Sequence, residues 1–239
     1  MKPLLLLALL LLCSGFAVAQ TAVDMAEDPH YHLQMENDEA RVFSFILPPR
    51  EQVHVRYQHN FLFVPIQDGE LVIWQEGASP VPHYVFHPGE IHLWVGGQAS
   101  SLRNDRPTEF RAIVVEFLNP KVVSYQYEPE TGALAYAGGG VNLPVDPHTK
   151  FINTLAMGAA AASDVQLLAG DSLPPWPKQA DELLIAVSDL DLKAKGDAHI
   201  RKSPGRPVWI AAGRNWDLTN ASNKPARFTA VAFWKESSN

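Results

Sequence analysis

Apolar residues along this chain fall into short runs separated by turn residues. Residues 41–47 mix apolar and β-branched side chains and stop at Pro48-Pro49, which predicts a strand ending in a turn. Residues 60–66 are almost wholly apolar, and Gln67-Asp68-Gly69 closes them as a hairpin turn into a second run over 70–75. Further short strands are predicted over 82–86, 91–95 and 110–118, and no helical period interrupts them. The pattern resumes over 164–168, 183–187, 199–201, 208–212 and 227–234. Between these halves, Gly138-Gly139-Gly140, Pro144, Pro147 and the small-residue run 159–162 have little strand character. The expected organisation is a first domain over 24–128, a joint over 129–162 and a second domain over 163–239. Residues 149–162 are the only candidate for a short helix. Many short strands at regular turn spacing predict sandwiches or small barrels.

The halves repeat each other. Gly89, Gly97 and Asn104 recur 116 positions later as Gly205, Gly213 and Asn220. Arg106-Pro107 followed by an apolar run has its counterpart in Lys224-Pro225, and Asp-Pro-His opens both halves at Asp28 and Asp146. A period this long exceeds any solenoid unit and reads as a duplicated domain. The spaced glycines belong at turns where φ is positive or the backbone passes close to a neighbour.

Composition narrows the picture. The 239 residues are 46% hydrophobic and 10% aromatic, enough to build two cores. A net charge of −7 with no basic cluster argues against nucleic acid or an anionic membrane surface as partner. Residues 1–19 read as a signal peptide: Lys2, a leucine-rich run over 4–12, and Ala17-Val18-Ala19 before the expected cut. That run is too short to stay in a bilayer, so the expectation is an exported protein, periplasmic or extracellular, with no transmembrane segment after cleavage. The one cysteine, Cys13, lies in this leader, leaving the mature chain without disulfides or thiolate ligands.

The stretch 170–220 carries two spaced motifs. Counting G-x5-H-x-H-x3,4-E-x6-G from Gly170 reaches Trp176, Lys178, Glu182 and Asp189. Counting G-x5-P-x-G-x2-H-x3-N from Gly205 reaches Ala211, Gly213, Trp216 and Asn220. In the first half the second motif runs Gly89, Val95, Gly97, Ser100, Asn104. Counting back from Gly69, Leu62 takes the glutamate position, and the two histidine positions fall on Arg56 and Gln58 or, with the longer spacing, on Val55 and Tyr57. The frame resembles the two-domain cupins, with the ligand histidines missing from both halves. The resemblance implies an all-β chain of two tandem cupin-type β-barrels, each a jelly-roll-like double-stranded β-helix. It also implies edge-to-edge pairing of barrels, and so a homodimer.

A catalytic first-row metal needs about three protein ligands and an open position. The cupin motifs supply three histidines and one glutamate, whereas here the second half keeps Glu182 and the first keeps none. The expectation is therefore a chain without a cofactor or metal, binding a small polar or anionic ligand or a protein partner without catalysis. Trp176 and Trp216 would meet inside the second barrel, with Lys178 and Glu182 as a charged pair, either as a ligand pocket or as a filled core. In the first barrel, Arg56, Gln58 and Ser100 are expected to share the interior and to hold a carboxylate, phosphate or sugar. The enzyme alternatives are a metal-independent isomerase or epimerase using His59 with Tyr57, or a metal enzyme whose ligands have moved to His54, His59, His83, His87 or His92. No nucleophile elbow or phosphate loop is present.

Overall fold

The computed structural model describes residues 21–122, 149–173, 180–194, 198–213 and 217–234, and excludes the side chains of 82, 149–154 and 156. The first half runs β1 (Val23–Asp24), β2 (Tyr31–Glu36), β3 (Ala40–Leu47), β4 (Gln52–Arg56), β5 (Phe61–Pro65), β6 (Gly69–Gln75), β7 (Val81–Phe86), β8 (His92–Trp94), β9 (Ala99–Arg103) and β10 (Phe110–Phe117). The second runs β11 (Thr149–Ala156), β12 (Ala160–Leu167), β13 (Ala180–Ala186), β14 (Leu190–Lys193), β15 (His199–Lys202), β16 (Pro207–Ile210), β17 (Thr219–Asn220) and β18 (Ala226–Trp234).

Each half is two sheets face to face. The first half stacks β1-β4-β9-β6-β7 on β2-β3-β10-β5-β8, and the second stacks β15-β14-β17 on β11-β12-β18-β13-β16. The order β2-β3-β10-β5-β8 is repeated as β11-β12-β18-β13-β16, and β9-β6-β7 is repeated as β17-β14-β15. One topology therefore occurs twice.

The segment 149–162 is not a helix. It forms β11 and the start of β12, paired antiparallel from Thr149↔Leu167 to Ala156↔Ala161. Its small residues suggest helix by propensity alone, but tertiary packing decides otherwise. Ala160 and Ala162 are fully buried between the two barrels, and the second barrel begins well before 163.

Alternation explains why so many strands are apolar on both faces. In β3, Phe43, Phe45 and Leu47 turn into the first barrel, while Ala40 and Val42 turn outward. In β13, Leu184 and Ala186 enter the second barrel, while Leu183 and Ile185 turn outward. The outward sets of the two long sheets, with Leu62, Val64, Val115, Val231 and Phe233, form one continuous core between the barrels. Three apolar layers result, and the middle one joins the halves.

The repeated polar positions perform the same task twice. Asn104 Nδ2 donates to the carbonyls of Leu47 (3.0 Å), Pro48 (3.2 Å) and Thr108 (2.8 Å). Asn220 Nδ2 donates to those of Leu167 (3.1 Å), Leu168 (3.1 Å) and Lys224 (2.7 Å). Each asparagine thus clamps the end of one strand to the loop that follows itself. Gly89 and Gly205 sit at φ +80° and +77°, and their N–H groups donate to Pro65 and Ala186 at 2.9 and 2.8 Å. Gly89 has a second constraint, since a Cβ there would lie 2.9 Å from Nε of Arg227, a second-barrel residue whose guanidinium forks onto buried Asp164 at 3.1 and 2.7 Å.

One repeat position is filled unequally. The N–H of Gly170 (φ +79°) donates to the Asn220 carbonyl, and the N–H of Arg50 (φ +64°) donates to the Asn104 carbonyl. A side chain in the left-handed region costs roughly 1–2 kcal/mol, partly offset by the greater unfolded-state freedom of glycine. Arg50→Gly is expected to stabilise the fold by about 0.5–1 kcal/mol, read as a raised denaturation midpoint.

Candidate functional site

The first barrel's interior is set by the strand register. Val53, Val55 and Tyr57 face inward and are buried. Arg56 lies opposite Ala99 on the outer face; its side chain is 45% exposed and reaches Glu76 at 3.9 Å. Gln58 is exposed and donates to Asp24 at 2.8 Å. Ser100 alone of the three expected partners is interior, opposite Val55 and buried. The expected Arg56–Gln58–Ser100 pocket is therefore not formed, because a one-residue change in spacing exchanges the faces of a strand. The longer spacing is the one that places both motif positions inside, on Val55 and Tyr57.

Leu62 turns into the layer between the barrels. Phe61, opposite Glu116 in β10, takes the interior place that Glu182, opposite Ala232 in β18, takes in the second barrel. Aromatic rings fill the first interior: Tyr57 stacks on Phe61 at 3.8 Å, Phe61 meets Trp94 edge-on at 5.3 Å, and Phe63 stacks on Trp94 at 5.0 Å. Tyr57 also shares a 2.7 Å hydrogen bond with buried Tyr31, and burial pushes both phenols up. Valine and phenylalanine offer no lone pair, and the Tyr57 oxygen is engaged, so Val55, Tyr57, Phe61 and Ser100 do not fit a metal ion.

The first half's histidines are dispersed onto separate partners. His54 bonds Ser101 at 2.8 Å on the outer sheet face, and His87 pairs with Asp68 at 2.9 Å. His83 pairs with Glu70, and buried His92 lies 3.3 Å from Glu90. The positive φ of His83 (58°) and a register shift between Leu71 and Ile73 break the regular alternation that would align His83 with His87. Among the described residues no group of three or more His, Cys, Asp or Glu could hold a metal ion. His59 and Tyr57 do not act on one point: His59 reaches Glu116 at 3.0 Å, while Tyr57 bonds Tyr31.

Glu116 is the charged residue that the sequence reading missed. It is 1% exposed, faces inward beside Val114, and takes Arg41 at 2.6 Å as well as His59. Arg41 is its direct cross-strand partner. The signal was a lone glutamate in the otherwise apolar run 110–117. A buried ion pair with a second partner closes one end of the first barrel.

The second barrel differs at the corresponding end. Glu182 lies opposite Ile210 and Ala232, on the inward face it shares with Leu184. The Phe61–Trp94 pair that closes the first barrel is thus replaced by Glu182 and Ile210. Glu182 is 8% exposed, no described residue pairs with it, and burial pushes its carboxyl up to about 7. The expected companions Trp176, Lys178 and Trp216 lie outside the described residues.

The raised carboxyl has a consequence for stability. The unfolded chain releases this proton near pH 4.5, the folded chain near pH 7, so the folded state binds more protons between them. The contribution is therefore full below about pH 4.5 and declines as pH rises towards 7. Glu182→Gln is expected to flatten this decline, with its largest relative gain above pH 7, measured by denaturation at stepped pH.

No sequence-family description matches the chain, and no curated protein matches it. Solved structures do. AerE from Microcystis aeruginosa superposes with a TM-score of 0.63 at 11% identity, covering 87% of this chain and 95% of that one. A cupin 2 conserved barrel domain protein from Leptotrichia buccalis gives 0.50 at 13%, covering 83% and 86%. The fold is that of the cupins. A salicylate 1,2-dioxygenase variant from Pseudoaminobacter salicylatoxidans, in complex with gentisate, gives 0.60 at 13% identity, covering 90% of this chain and 76% of that one. At such identities the likeness concerns the cupin fold alone, and the chemistry must be argued from this chain's own side chains.

Proposed function

We propose that this chain is an exported, metal-free protein of two cupin barrels that binds a small polar ligand in its second barrel without transforming it. The observation that supports the reading is the contrast between equivalent interior places: an aromatic stack at Phe61 and, at Glu182, a buried carboxyl with which no described residue pairs. A lone carboxyl in an apolar barrel is costly to the fold, and a ligand that hydrogen-bonds it would recover that cost. The leader over 1–19 supports export.

A thermal-shift screen of sugars, amines, amino acids and polyols against the mature protein tests this, repeated on Glu182→Gln. The reading expects at least one compound to raise the melting temperature of the native chain and to lose most of that effect in the variant. No stabilising compound, or equal stabilisation of both proteins, contradicts it.

The specific alternative is metal-independent acid–base catalysis, because a carboxyl with a pKa of about 7 is poised for proton transfer near neutrality. Turnover of a bound compound that vanishes in Glu182→Gln, while binding persists, would select this alternative.

A further inference from the structure

A groove opens at the junction of the barrels, away from both interiors, with a volume of about 360 Å³. Its floor is the outer face of the first barrel's long sheet, where that face extends beyond the shared core. There Ile46 and Ile66 are partly exposed to the groove beside Ser44, with buried Ile113 beneath them. Register explains the grouping: His32, Ser44 and Ile113 face one another across β2, β3 and β10, with Ile46 opposite Arg111 one step along. The far wall is the turn 203–206 of the second barrel, where Gly205 comes close enough that a Cβ would lie 3.8 Å from Ile113.

The polar groups are unequally matched. Arg206 donates through Nη1 to the Gln34 amide oxygen at 2.9 Å, a neutral partner, and among the described residues no carboxylate pairs with it. Arg111, from β10 of the first barrel, also lines the groove, and its Nε lies 2.7 Å from Glu109. Two arginines from different barrels thus line a groove with an isoleucine floor, which Ser44 and Ser203 line as well. The volume matches small-ligand sites, and a guanidinium fork matches a carboxylate in shape as well as charge.

We propose that this junction is a binding site for a small carboxylate with an apolar body, the carboxylate taken by Arg206 and Arg111 and the body lying on Ile46 and Ile66. The site uses neither Glu182 nor either barrel interior, so it stands apart from the second-barrel reading. It exists because the fold is doubled: one guanidinium and the floor come from the first half, the other guanidinium from the second.

Calorimetric titration of the mature protein with benzoate, phenyl phosphate and benzyl alcohol tests the assignment. Benzoate is expected to bind, to weaken with added salt, and to lose at least about tenfold in affinity in Arg206→Gln and again in Arg111→Gln. Ile66→Trp, which fills the groove from a partly exposed position, should abolish binding while unfolding as the native chain does. Glu182→Gln should leave benzoate affinity unchanged, which separates this site from the other. Tighter binding of phenyl phosphate would make the ligand a phosphate monoester and overturn the carboxylate assignment. Absent benzoate binding, equal binding of benzyl alcohol, or unchanged affinity in Arg206→Gln would overturn the site.

Discussion

Replacing Asn104 with alanine is expected to lower the unfolding free energy by about 3 kcal/mol, and Asn220→Ala by a similar amount. The reason is the number of groups left behind. Each amide serves three backbone carbonyls from a buried position, and its own oxygen accepts a backbone N–H two residues on, from Arg106 in one half and Ser222 in the other. Alanine removes the donor and leaves those carbonyls in the wall of a barrel, where water reaches them poorly. Because the clamp is duplicated, the two losses should be comparable, and because the sites are far apart they should add. Denaturant titration of both single variants and the double checks this. A loss below about 1 kcal/mol at either site would mean that the clamp is dispensable there.

Phe63→Ala is expected to cost more, about 4 kcal/mol. Phe63 is fully buried and touches four other rings: Trp94 at 5.0 Å, Phe86 at 5.4 Å, and Phe45 and Phe110 at 6.0 Å each. Truncation removes the ring's burial and opens a cavity that two hydrogen-bonded sheets packed face to face cannot fully collapse around. The variant has a second use. If the first barrel is an ordinary filled core, Phe63→Ala should unfold earlier while leaving the small-ligand behaviour of the second barrel intact. Loss of that binding without loss of stability would show the aromatic interior to be a site after all.

The fold was legible because duplication supplied an internal control. A single glycine or asparagine offset means little, but Gly89, Gly97 and Asn104 recurring together fixed both the frame and the repeat. The apolar runs 60–66 and 110–118 were read as strands, although their lack of alternation concealed that both faces are covered. That covering is a tertiary fact, visible only once Leu62 and Val115 are seen against Val231 and Phe233. Strands built of mixed residues, such as Ala99–Arg103 and Leu190–Lys193, were not read at all, because their burial comes from neighbours and not from composition.

The candidate site was less legible, for a reason of parity. Choosing between Arg56–Gln58 and Val55–Tyr57 turns on one residue in a loop, and that residue decides which set faces inward. Glu182 could be placed by its offset from Gly170, and in the fold its neighbours Leu183, Leu184 and Ile185 divide between two cores. The histidines misled in the opposite sense. Their number in the first half suggests metal, yet His54, His59, His83, His87 and His92 each lie against their own carboxylate or hydroxyl at a different place, His92 buried and the others more exposed.

The central claim is that two cupin barrels persist here without the ion such barrels can hold, and elemental analysis of the mature protein tests it most directly. The account predicts iron, manganese, nickel, copper and zinc all far below one equivalent per chain after dialysis. One tightly held equivalent, released when His54, His59 or His92 is replaced by alanine, would contradict it.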